Sequence, residues 1–402
     1  MKILYLHQYF KTPSQPGGTR SYWIAQELIS RGYDVTMIAG SENITQRKEV
    51  KLIDGIRVIY LKVPYSNKMG ILQRFWSFVR FMLSSTIVAL KQRDVDLVIG
   101  TSTPLTIGFP VLVLNYFKKI PYLFEVRDLW PEVPIQMGGL KNPLLKKLAI
   151  AFEKRIYKKA WHIVALSPGM KDGVVAAGTP SEKVSMIPNM AKIDKFYIRP
   201  LNTEIAKKYC INLDVFNVVY FGAFGVANGL DFIINTATKL KELKINDVNF
   251  VLIGKEGRAK KVLQESVVKF KLNNIQIIPA QPMDELSELI NLCDCSIIPF
   301  KSLPILSTNS PNKLFDSLSA GKPIIVNSDG WTKDIAEKYN CGFYIDANQP
   351  EDLVSLLTSI KADKSKLIEM GKNARKLAET KYDKTILCKE FADLIEIKLK
   401  KG

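Results

Sequence analysis

The stretch Ser310-Pro-Asn-Lys-Leu-Phe-Asp-Ser-Leu-Ser-Ala-Gly-Lys-Pro-Ile-Ile325 predicts a short helix that leads into a buried strand. Ser310 suits the cap of that helix and Pro311 its first position, because the first turn has N–H groups without helical partners. Gly321 suits its end, and the apolar residues that follow are typical of a strand. Strands that alternate with helices indicate an α/β fold with parallel sheets.

Lys313 and Asp316 are three residues apart in this helix and therefore share a face. The helix N-terminus favours phosphate through its free N–H groups and partial positive charge, and Lys313 adds a full charge. One turn further on, the carboxylate of Asp316 suits two adjacent sugar hydroxyls. The stretch therefore indicates a nucleotide-sugar site, although a capped helix with a surface ion pair would have the same residue types.

The chain has 402 residues, which exceeds one ordinary core, and strands alternate with helices in both halves. We predict two Rossmann-like α/β domains, residues 1–195 and 196–383. The boundary follows Val184–Phe196, where a polar stretch with Pro200 begins. We expect the final helix, 384–402, to pack back on the first domain.

The charge is uneven along the chain. The net charge is +18, and residues 1–195 hold 28 Lys and Arg against 14 Asp and Glu. This excess favours an anionic partner. No apolar run reaches the ~20 residues of a membrane span, and the first residues do not resemble a signal peptide. Five scattered cysteines predict neither a disulfide framework nor a zinc site, so we expect a reducing cytoplasm.

Two basic and apolar stretches, residues 68–93 and 141–159, have the composition of amphipathic helices that lie in a membrane interface. Each basic residue near an anionic membrane adds on the order of 1 kcal/mol of attraction. The alternative is that both are ordinary helices whose apolar sides belong to the core. Together with the charge excess they favour the inner face of a cell membrane.

Pro16-Gly-Gly-Thr-Arg-Ser21 follows the first strand and opens a helix. Gly17 and Gly18 would let backbone N–H groups approach a phosphate closely, although many such turns only connect two elements. The spacing is not that of a nicotinamide dinucleotide site, which needs Gly-x-Gly-x-x-Gly and an acidic residue after the second strand.

Glu125-Val-Arg-Asp-Leu-Trp-Pro-Glu132 follows an apolar strand, at the end where open parallel sheets bind ligands. Asp128 would orient a hydroxyl or accept a proton, and Arg127 would neutralise phosphate charge. The alternative is an arginine–carboxylate network that holds a loop in place.

Three other motifs give weaker indications. Gly254-Lys-Glu-Gly-Arg258 leaves a strand where Lys255 and Arg258 would reach a diphosphate, and Ile278-Pro-Ala-Gln-Pro282 would clasp a flat base. Asp94-Val-Asp96 precedes a strand, which is the wrong end for a metal-binding Asp-x-Asp motif. The only histidines, His7 and His162, do not form a two-histidine metal site at local spacing.

Five motifs in combination resemble the retaining GT-B-fold glycosyltransferases of family 4 over essentially the whole chain. They are Pro16-Gly-Gly-Thr-Arg20, Ser30-Arg-Gly-Tyr-Asp-Val-Thr36, Ile187-Pro-Asn189, Leu252-Ile-Gly254 and Pro311-Asn-Lys-Leu-Phe-Asp316 with Ala320-Gly-Lys-Pro323. Arg127–Glu132 and Gly222-Ala-Phe-Gly225 resemble a narrower group, the L-fucosamine (N-acetylfucosamine) transferases of O-antigen and capsule biosynthesis. The resemblance implies two Rossmann-like domains with parallel sheets facing across a cleft. It also implies transfer from a UDP-sugar without a catalytic metal or other cofactor.

The resemblance implies catalytic roles for Arg127, Asp128 and Lys313. It places the donor mainly on the second domain and the acceptor on the first. The implied donor-binding residues are Gly17, Gly18, Gly222, Gly254, Lys255, Arg258, Gln281, Asn312, Lys313, Leu314 and Asp316, and the implied acceptor-binding residues are Arg20, Trp130 and Glu132.

The chain departs from the family pattern at several positions. The family often has two glutamates eight positions apart, and here Thr308 and Asp316 stand in their place. Its usual His-Asp pair is Arg127-Asp128, and the usual Arg and Lys after the first strand of the second domain are Ala223 and Asn228. Neutralisation of the diphosphate then depends on Lys313, with Lys255 and Arg258 as helpers.

We therefore predict a peripheral enzyme at the inner membrane face that transfers an aminosugar to a polyprenyl-diphosphate-linked sugar. One alternative is a UDP-sugar epimerase or phosphorylase of the same fold. Another is a non-enzymatic basic scaffold that binds membrane or RNA. Nucleic acid is disfavoured as a partner, because the basic stretches look helical and apolar rather than like an exposed stacking platform.

Overall fold

A computed structural model of the chain describes residues 1–15, 17–65, 69–255 and 258–400, without the side chains of residues 71, 258 and 398–400. It contains an eight-stranded and a six-stranded sheet, each flanked by helices. The predicted α/β architecture of two Rossmann-like domains is confirmed. Lys68, the first residue of one predicted basic helix, lies outside the described residues.

The first domain is built on strands in the order β3-β4-β2-β1-β5-β6-β7-β8, which pair in parallel except for β3 with β4. Its strands are β1 Lys2–Leu6, β2 Asp34–Ser41, β3 Lys48–Ile53, β4 Ile56–Lys62, β5 Leu97–Thr101, β6 Tyr122–Val126, β7 His162–Ala165 and β8 Val184–Met186. Its helices are α1 Arg20–Ser30, α2 Ile71–Leu90, α3 Gly108–Lys118, α4 Glu132–Gln136, α5 Pro143–Lys159 and α6 Pro168–Ala176.

The second domain has the parallel order β11-β10-β9-β12-β13-β14. Its strands are β9 Phe216–Ala223, β10 Val248–Lys255, β11 Ile275–Pro279, β12 Cys295–Ile298, β13 Ile324–Val326 and β14 Gly342–Tyr344. The helices after β8 are α7 Thr203–Lys208, α8 Leu230–Glu242, α9 Arg258–Lys269, α10 Met283–Asn291, α11 Asn312–Ser319, α12 Trp331–Lys338, α13 Pro350–Ile360, α14 Lys364–Leu377 and α15 Lys384–Lys400. Short 3-10 helices lie at Leu105–Ile107, Ser181–Lys183, Val226–Asn228 and Pro304–Thr308, and a π-helix at Ala378–Tyr382.

The chain passes between the domains twice. The first crossing is residues 187–202, between β8 and α7, and the second crossing is residues 382–384, between the π-helix and α15. The two crossings are hydrogen-bonded to each other. The Ala191 N–H donates to the Tyr382 carbonyl at 2.7 Å, and the Lys384 N–H donates to the Ala191 carbonyl at 2.9 Å. After the second crossing, α15 lies against α1, where Arg31 pairs with Asp393 at 2.6 Å. The last helix therefore completes the first domain, although the chain reaches it through the second.

Arg20 is buried in the first domain, 1% exposed, and does not reach the cleft. Its Nε donates to Oε1 of the fully buried Glu125 at 2.6 Å, and its other nitrogens donate to the carbonyls of Ile187 and Pro188. These bonds join α1, β6 and the first crossing. The prediction that Arg20 contacts the acceptor is therefore corrected: the guanidinium is fully engaged in holding these three segments together.

The helix predicted within Ser310–Ile325 is α11, which begins at Asn312, and Pro311 stands at its cap position rather than at its first helical position. The Ser310 hydroxyl does not cap it. Instead, Ser310 Oγ accepts the Asn189 N–H at 3.2 Å, and the Asn189 side chain donates to the Ser310 carbonyl. The residue before the α11 cap is thus tied to the first crossing.

Candidate active site

The ends of the strands in both sheets face a cavity of about 710 Å³, which lies in the usual range of sites for small ligands. Most of the residues predicted to bind or react line this cavity. They are Gly17, Gly18, Arg127, Asp128, Trp130, Gly222, Gly254, Lys255, Gln281, Asn312, Lys313 and Asp316.

The other predicted residues lie elsewhere. Leu314 is fully buried on the core side of α11, so its side chain packs in the core and does not line the cavity. Glu132 begins α4 outside the cavity lining and accepts a hydrogen bond from Gln136 at 2.8 Å. The side chain of Arg258 lies outside the described residues.

Lys313 is a cation in an apolar setting. Its ammonium lies 4.3 Å from the centre of the Tyr220 ring and 5.6 Å from that of Phe300, and it donates to Asn228 Oδ1 at 2.7 Å. Among the described residues no carboxylate pairs with it. Burial lowers the pKa of Lys313 to about 7, because the charged form has lost its hydration. An anion that enters the cavity would restore that missing stabilisation.

The glycines of the cavity give the ligand space next to these charges. A Cβ on Gly18 would lie 3.1 Å from Asn312 Nδ2 and 3.4 Å from Arg127 Nη2, so the loop after β1 passes directly over both side chains. Gly222 has φ +138°, and a Cβ there would lie 3.6 Å from Lys313 Cε. The backbone conformation favours glycine at Gly222, whereas a side chain on Gly18 would press on Asn312 and Arg127.

Lys255 adds a further positive charge to this space from the second domain. Burial, together with the charge of Lys11, lowers the pKa of Lys255. Lys11 follows β1 of the first domain and Lys255 ends β10 of the second, so two lysines approach each other across the cleft. Lys11 does not line the cavity, but its side chain lies beside Gly17, which does.

Asp316 forms an ion pair that the sequence did not reveal. Its Oδ1 lies 2.6 Å from the Nζ of Lys192, and both side chains are at least nine-tenths buried. Burial raises the pKa of Asp316, and the Lys192 charge opposes this shift. Lys192 belongs to the first crossing between the domains, so its approach to α11 depends on the tertiary fold.

Beyond this pair the cavity is mostly apolar, and its lining comes from the first crossing, β9, β10 and α10. The residues are Phe196, Phe221, Ile253, Met283 and Leu286, with Gln281 at the edge. Apolar walls with one amide suit a flat heterocycle that also carries polar edge groups.

The opposite end of the cavity carries Asp128. Its Oδ2 accepts the Thr103 hydroxyl at 2.7 Å, and burial raises the pKa of its carboxyl group, which the Thr103 bond opposes. A carboxylate with one remaining oxygen in a half-buried cleft can accept a hydrogen bond from a substrate hydroxyl.

Next to it, Arg127 is supported from the protein side by His7. Its Nη1 lies 3.4 Å from His7 Nε2, and His7 Nδ1 lies 2.6 Å from Ser21 Oγ. Burial and the charge of Arg127 lower the pKa of His7 well below its usual range, so the ring is neutral. A neutral ring whose Nδ1 holds the proton can donate to Ser21 and accept from Arg127.

In the part of the chain that the structure describes, no group of three or more His, Cys, Asp or Glu side chains is placed to hold a metal ion. The charged groups of the cavity are cations and single carboxylates. Its chemistry is therefore that of anion binding with a hydrogen-bond acceptor nearby.

Two family models match most of the chain. Residues 17–190 match the model of a glycosyl transferase 4-like domain, and residues 202–377 match the model of glycosyl transferases group 1. The boundary between the two matches falls between β8 and α7.

A curated protein with a similar sequence is also a glycosyltransferase by its description. The chain is 25% identical over 251 residues to the putative teichuronic acid biosynthesis glycosyltransferase TuaH of Bacillus subtilis. These residues are 62% of this chain and 60% of that protein. It spans less than two thirds of the length of the curated relatives that it matches.

Solved structures share the fold. Sucrose-phosphate synthase from Thermosynechococcus elongatus superposes with a TM-score of 0.81 at 14% identity, over all of both chains. Anabaena Alr3699/HepE in complex with UDP-glucose superposes with a TM-score of 0.70 at 17% identity, over 98% of this chain and 99% of that one.

Proposed function

We propose that this chain, which belongs to the GT-B glycosyltransferases of group 1, transfers a sugar from a UDP-sugar to a polyprenyl-diphosphate-linked sugar. We further propose that it is a metal-independent family 4 enzyme that retains the anomeric configuration. The transferred sugar in this proposal is an N-acetylated deoxyhexosamine such as L-FucNAc, and the product enters O-antigen or capsule assembly.

The observation that carries the proposal is the half-buried side chain of Lys313, whose ammonium faces the cavity without a carboxylate partner among the described residues. A dianionic diphosphate would supply the missing negative charge. Arg127 and the Gly17-Gly18 loop approach the same space from the first domain. A diphosphate placed there would touch both domains, which supports its role as the leaving group.

The nucleoside has a matching place beyond the diphosphate. The apolar end of the cavity would hold the base, and Asp316, oriented by Lys192, would accept hydrogen bonds from ribose hydroxyls. The complexes of Anabaena Alr3699/HepE with UDP and with UDP-glucose are consistent with a UDP-linked donor on this fold.

A second group of apolar residues in the cavity lining supports the choice of sugar. It contains Trp130 and Val133 from the first domain and Ala227, Phe300 and Leu306 from the second. Thr308, which stands where the family often has a glutamate, donates its hydroxyl to its own neighbour, the Ile305 carbonyl, at 2.8 Å. An apolar wall favours a sugar with methyl groups, as in a 6-deoxy or N-acetyl sugar, over one with a full set of hydroxyls.

In the proposed mechanism, Lys313 and Arg127 stabilise the negative charge that grows on the diphosphate as the sugar–phosphate bond breaks. Asp128 accepts a hydrogen bond from the acceptor hydroxyl and aligns it with the anomeric carbon. The oxygen of that hydroxyl forms the new bond, and its proton passes to the leaving phosphate. A nucleophilic carboxylate, as in a retaining hydrolase, is not needed.

The surface of the first domain supports a membrane location. Large apolar residues are exposed on α2 and α5, among them Leu72 (76% exposed), Trp76 (65% exposed) and Leu144. The adjacent α3, which the sequence did not single out, adds Tyr116 and Phe117. Among the described helices none is both long and apolar enough to cross a membrane. We therefore propose peripheral binding of these faces to an anionic inner membrane.

The decisive experiment measures turnover of a panel of UDP-sugars with a lipid-linked acceptor by the purified protein and by K313A. Wild-type protein should release UDP only when the acceptor is present, and K313A should lose nearly all turnover while remaining folded. Wild-type turnover in K313A would refute the role of Lys313. Consumption of UDP-sugar without acceptor would instead favour an epimerase, and absence of UDP-competable donor binding would favour a non-enzymatic scaffold.

A further inference from the structure

Four aromatic rings of the first domain form a continuous row. The ring centres of Tyr9 and Tyr65 are 4.7 Å apart, those of Tyr65 and Phe78 are 6.1 Å apart, and those of Phe78 and Trp130 are also 6.1 Å apart. All four side chains are half-buried rather than enclosed in the core. We call these four residues the aromatic row.

One end of the aromatic row is part of the candidate active site. Trp130 lines the cavity within two residues of Asp128, the proposed contact for the acceptor hydroxyl. Its partner Phe78 does not line that cavity, so the row continues away from the nucleotide site into the first domain.

The middle of the row lies on α2, because Phe78 belongs to this helix and Tyr65 packs against Phe78. In the first turns of the same helix, Leu72, Phe75 and Trp76 are each more than half exposed. The Ser77 hydroxyl donates to the Pro64 carbonyl at 2.7 Å, which fixes this part of α2 next to Tyr65. The row therefore joins a strongly exposed apolar surface to the cavity.

A cation accompanies the aromatic row. The guanidinium carbon of Arg74 lies 6.0 Å from the centre of the Tyr65 ring, and Arg74 is half-buried like the rings beside it. Arginine binds phosphate groups through paired N–H donors. An apolar track with one arginine suits a ligand that has a hydrocarbon chain and an anionic head.

We propose that the aromatic row, with Arg74, binds the prenyl diphosphate part of the acceptor and directs its sugar to Asp128. This inference rests on the proposed function, because it concerns the acceptor of the same reaction. In this acceptor the diphosphate joins the sugar to the isoprenoid. With the sugar beside Trp130, the diphosphate lies next to Phe78 and pairs with Arg74, one helical turn away on α2. The isoprenoid carbons continue from Phe78 along Tyr65. The exposed residues of α2 lie where the rest of the chain would enter the bilayer.

The test uses farnesyl diphosphate, below its micellar concentration, titrated by calorimetry into the full-length protein saturated with UDP. Saturation with UDP keeps the probe out of the donor diphosphate site. We expect saturable binding that is at least about tenfold tighter than that of inorganic pyrophosphate or farnesol, because chain and head each contribute. F78A and R74Q should each weaken it by about tenfold, equivalent to roughly 1.4 kcal/mol.

Matched controls separate this site from general surface effects. F117A removes an aromatic ring that is 70% exposed on α3, and R80Q removes an exposed arginine of α2. Both should leave the affinity for farnesyl diphosphate within about twofold. Unchanged UDP affinity shows that each variant is folded, and F78L, which keeps an apolar side chain there, replaces F78A if that protein fails to fold.

The proposal is overturned if farnesyl diphosphate does not saturate, if it binds no better than pyrophosphate, or if the Phe78 variant behaves like F117A. Failure of the proposed function has a different signature, because wild-type protein would then not bind UDP. A protein that binds UDP but not farnesyl diphosphate refutes only the role of the aromatic row.

Discussion

Binding of UDP should take up a proton, because Lys313 is partly neutral before the ligand arrives. Burial lowers the pKa of Lys313 to about 7 in the unliganded protein. At pH 8 only about one tenth of the molecules then carry the charge, and at pH 6 about nine tenths do. A diphosphate beside the ammonium raises this pKa, so binding should take up about 0.9 proton at pH 8 and about 0.1 at pH 6.

The number of protons is measured by titration calorimetry in buffers of different ionisation enthalpy. The slope of the observed enthalpy against the buffer enthalpy gives the uptake at each pH. UDP has its own phosphate ionisation near pH 6, so the wild type is compared with K313M, which keeps an unbranched chain without the charge. The difference between the two proteins isolates Lys313.

A difference of about 0.9 proton at pH 8 that shrinks towards 0.1 at pH 6 is the expected result. Equal slopes for wild type and K313M at pH 8 would refute the reasoning, because Lys313 would then either be charged before binding or not meet the diphosphate. Wild-type UDP affinity should also fall as the pH rises above about 7, since fewer molecules hold the proton in advance.

Four further predictions follow from the same contacts. The pKa of Lys313 in the folded protein lies below its unfolded value of 10.5, so between about pH 7 and 10.5 the unfolded chain binds more protons than the folded one. The free energy of unfolding of the unliganded wild type, measured in urea, should therefore rise relative to that of K313M as pH rises through this window. K192M leaves the buried Asp316 carboxylate unpaired and should lower the free energy of unfolding by about 3–5 kcal/mol, with partial recovery in K192M/D316N; no loss in K192M would contradict a buried ion pair. G18A places a Cβ 3.1 Å from Asn312 Nδ2, so UDP should bind about tenfold more weakly at unchanged melting temperature, whereas G139A in a loop outside the cavity serves as its control. EDTA should leave turnover unchanged, and restoration of a lost activity by Mg²⁺ would show that the proposed metal-independent reaction is wrong.

The regular parts of the fold could be predicted because buried parallel strands have a simple pattern. Strands such as Leu97–Thr101 and Ile275–Pro279 were predicted with the bounds that the structure shows. Strand β3, Lys48–Ile53, was missed because its charged residues give no apolar run, although Asp54-Gly55 beside it is a typical hairpin turn and both residues have positive φ.

The candidate site was less accessible from sequence where a side chain depends on a distant partner. Arg20 stands next to the glycine loop, and only the position of Glu125, 105 residues away, shows that it turns into the core. Lys192 lies in the first crossing, where no sequence motif marks it. Only the folded path of the chain shows that it pairs with Asp316. Local residue types indicated Lys313 and Asp128, because a charge at a helix start or a strand end has few structural uses.

The pairing of α15 with α1 has a consequence for synthesis on the ribosome. The first domain must wait for residues 384–400, so during translation of the whole second domain the α15-binding side of α1, with Trp23 and Arg31, stays uncovered. In the nascent chain this face of α1 therefore lacks its partner helix while residues 196–383 are synthesised, so the packing of the first domain is completed only after the second domain has been made.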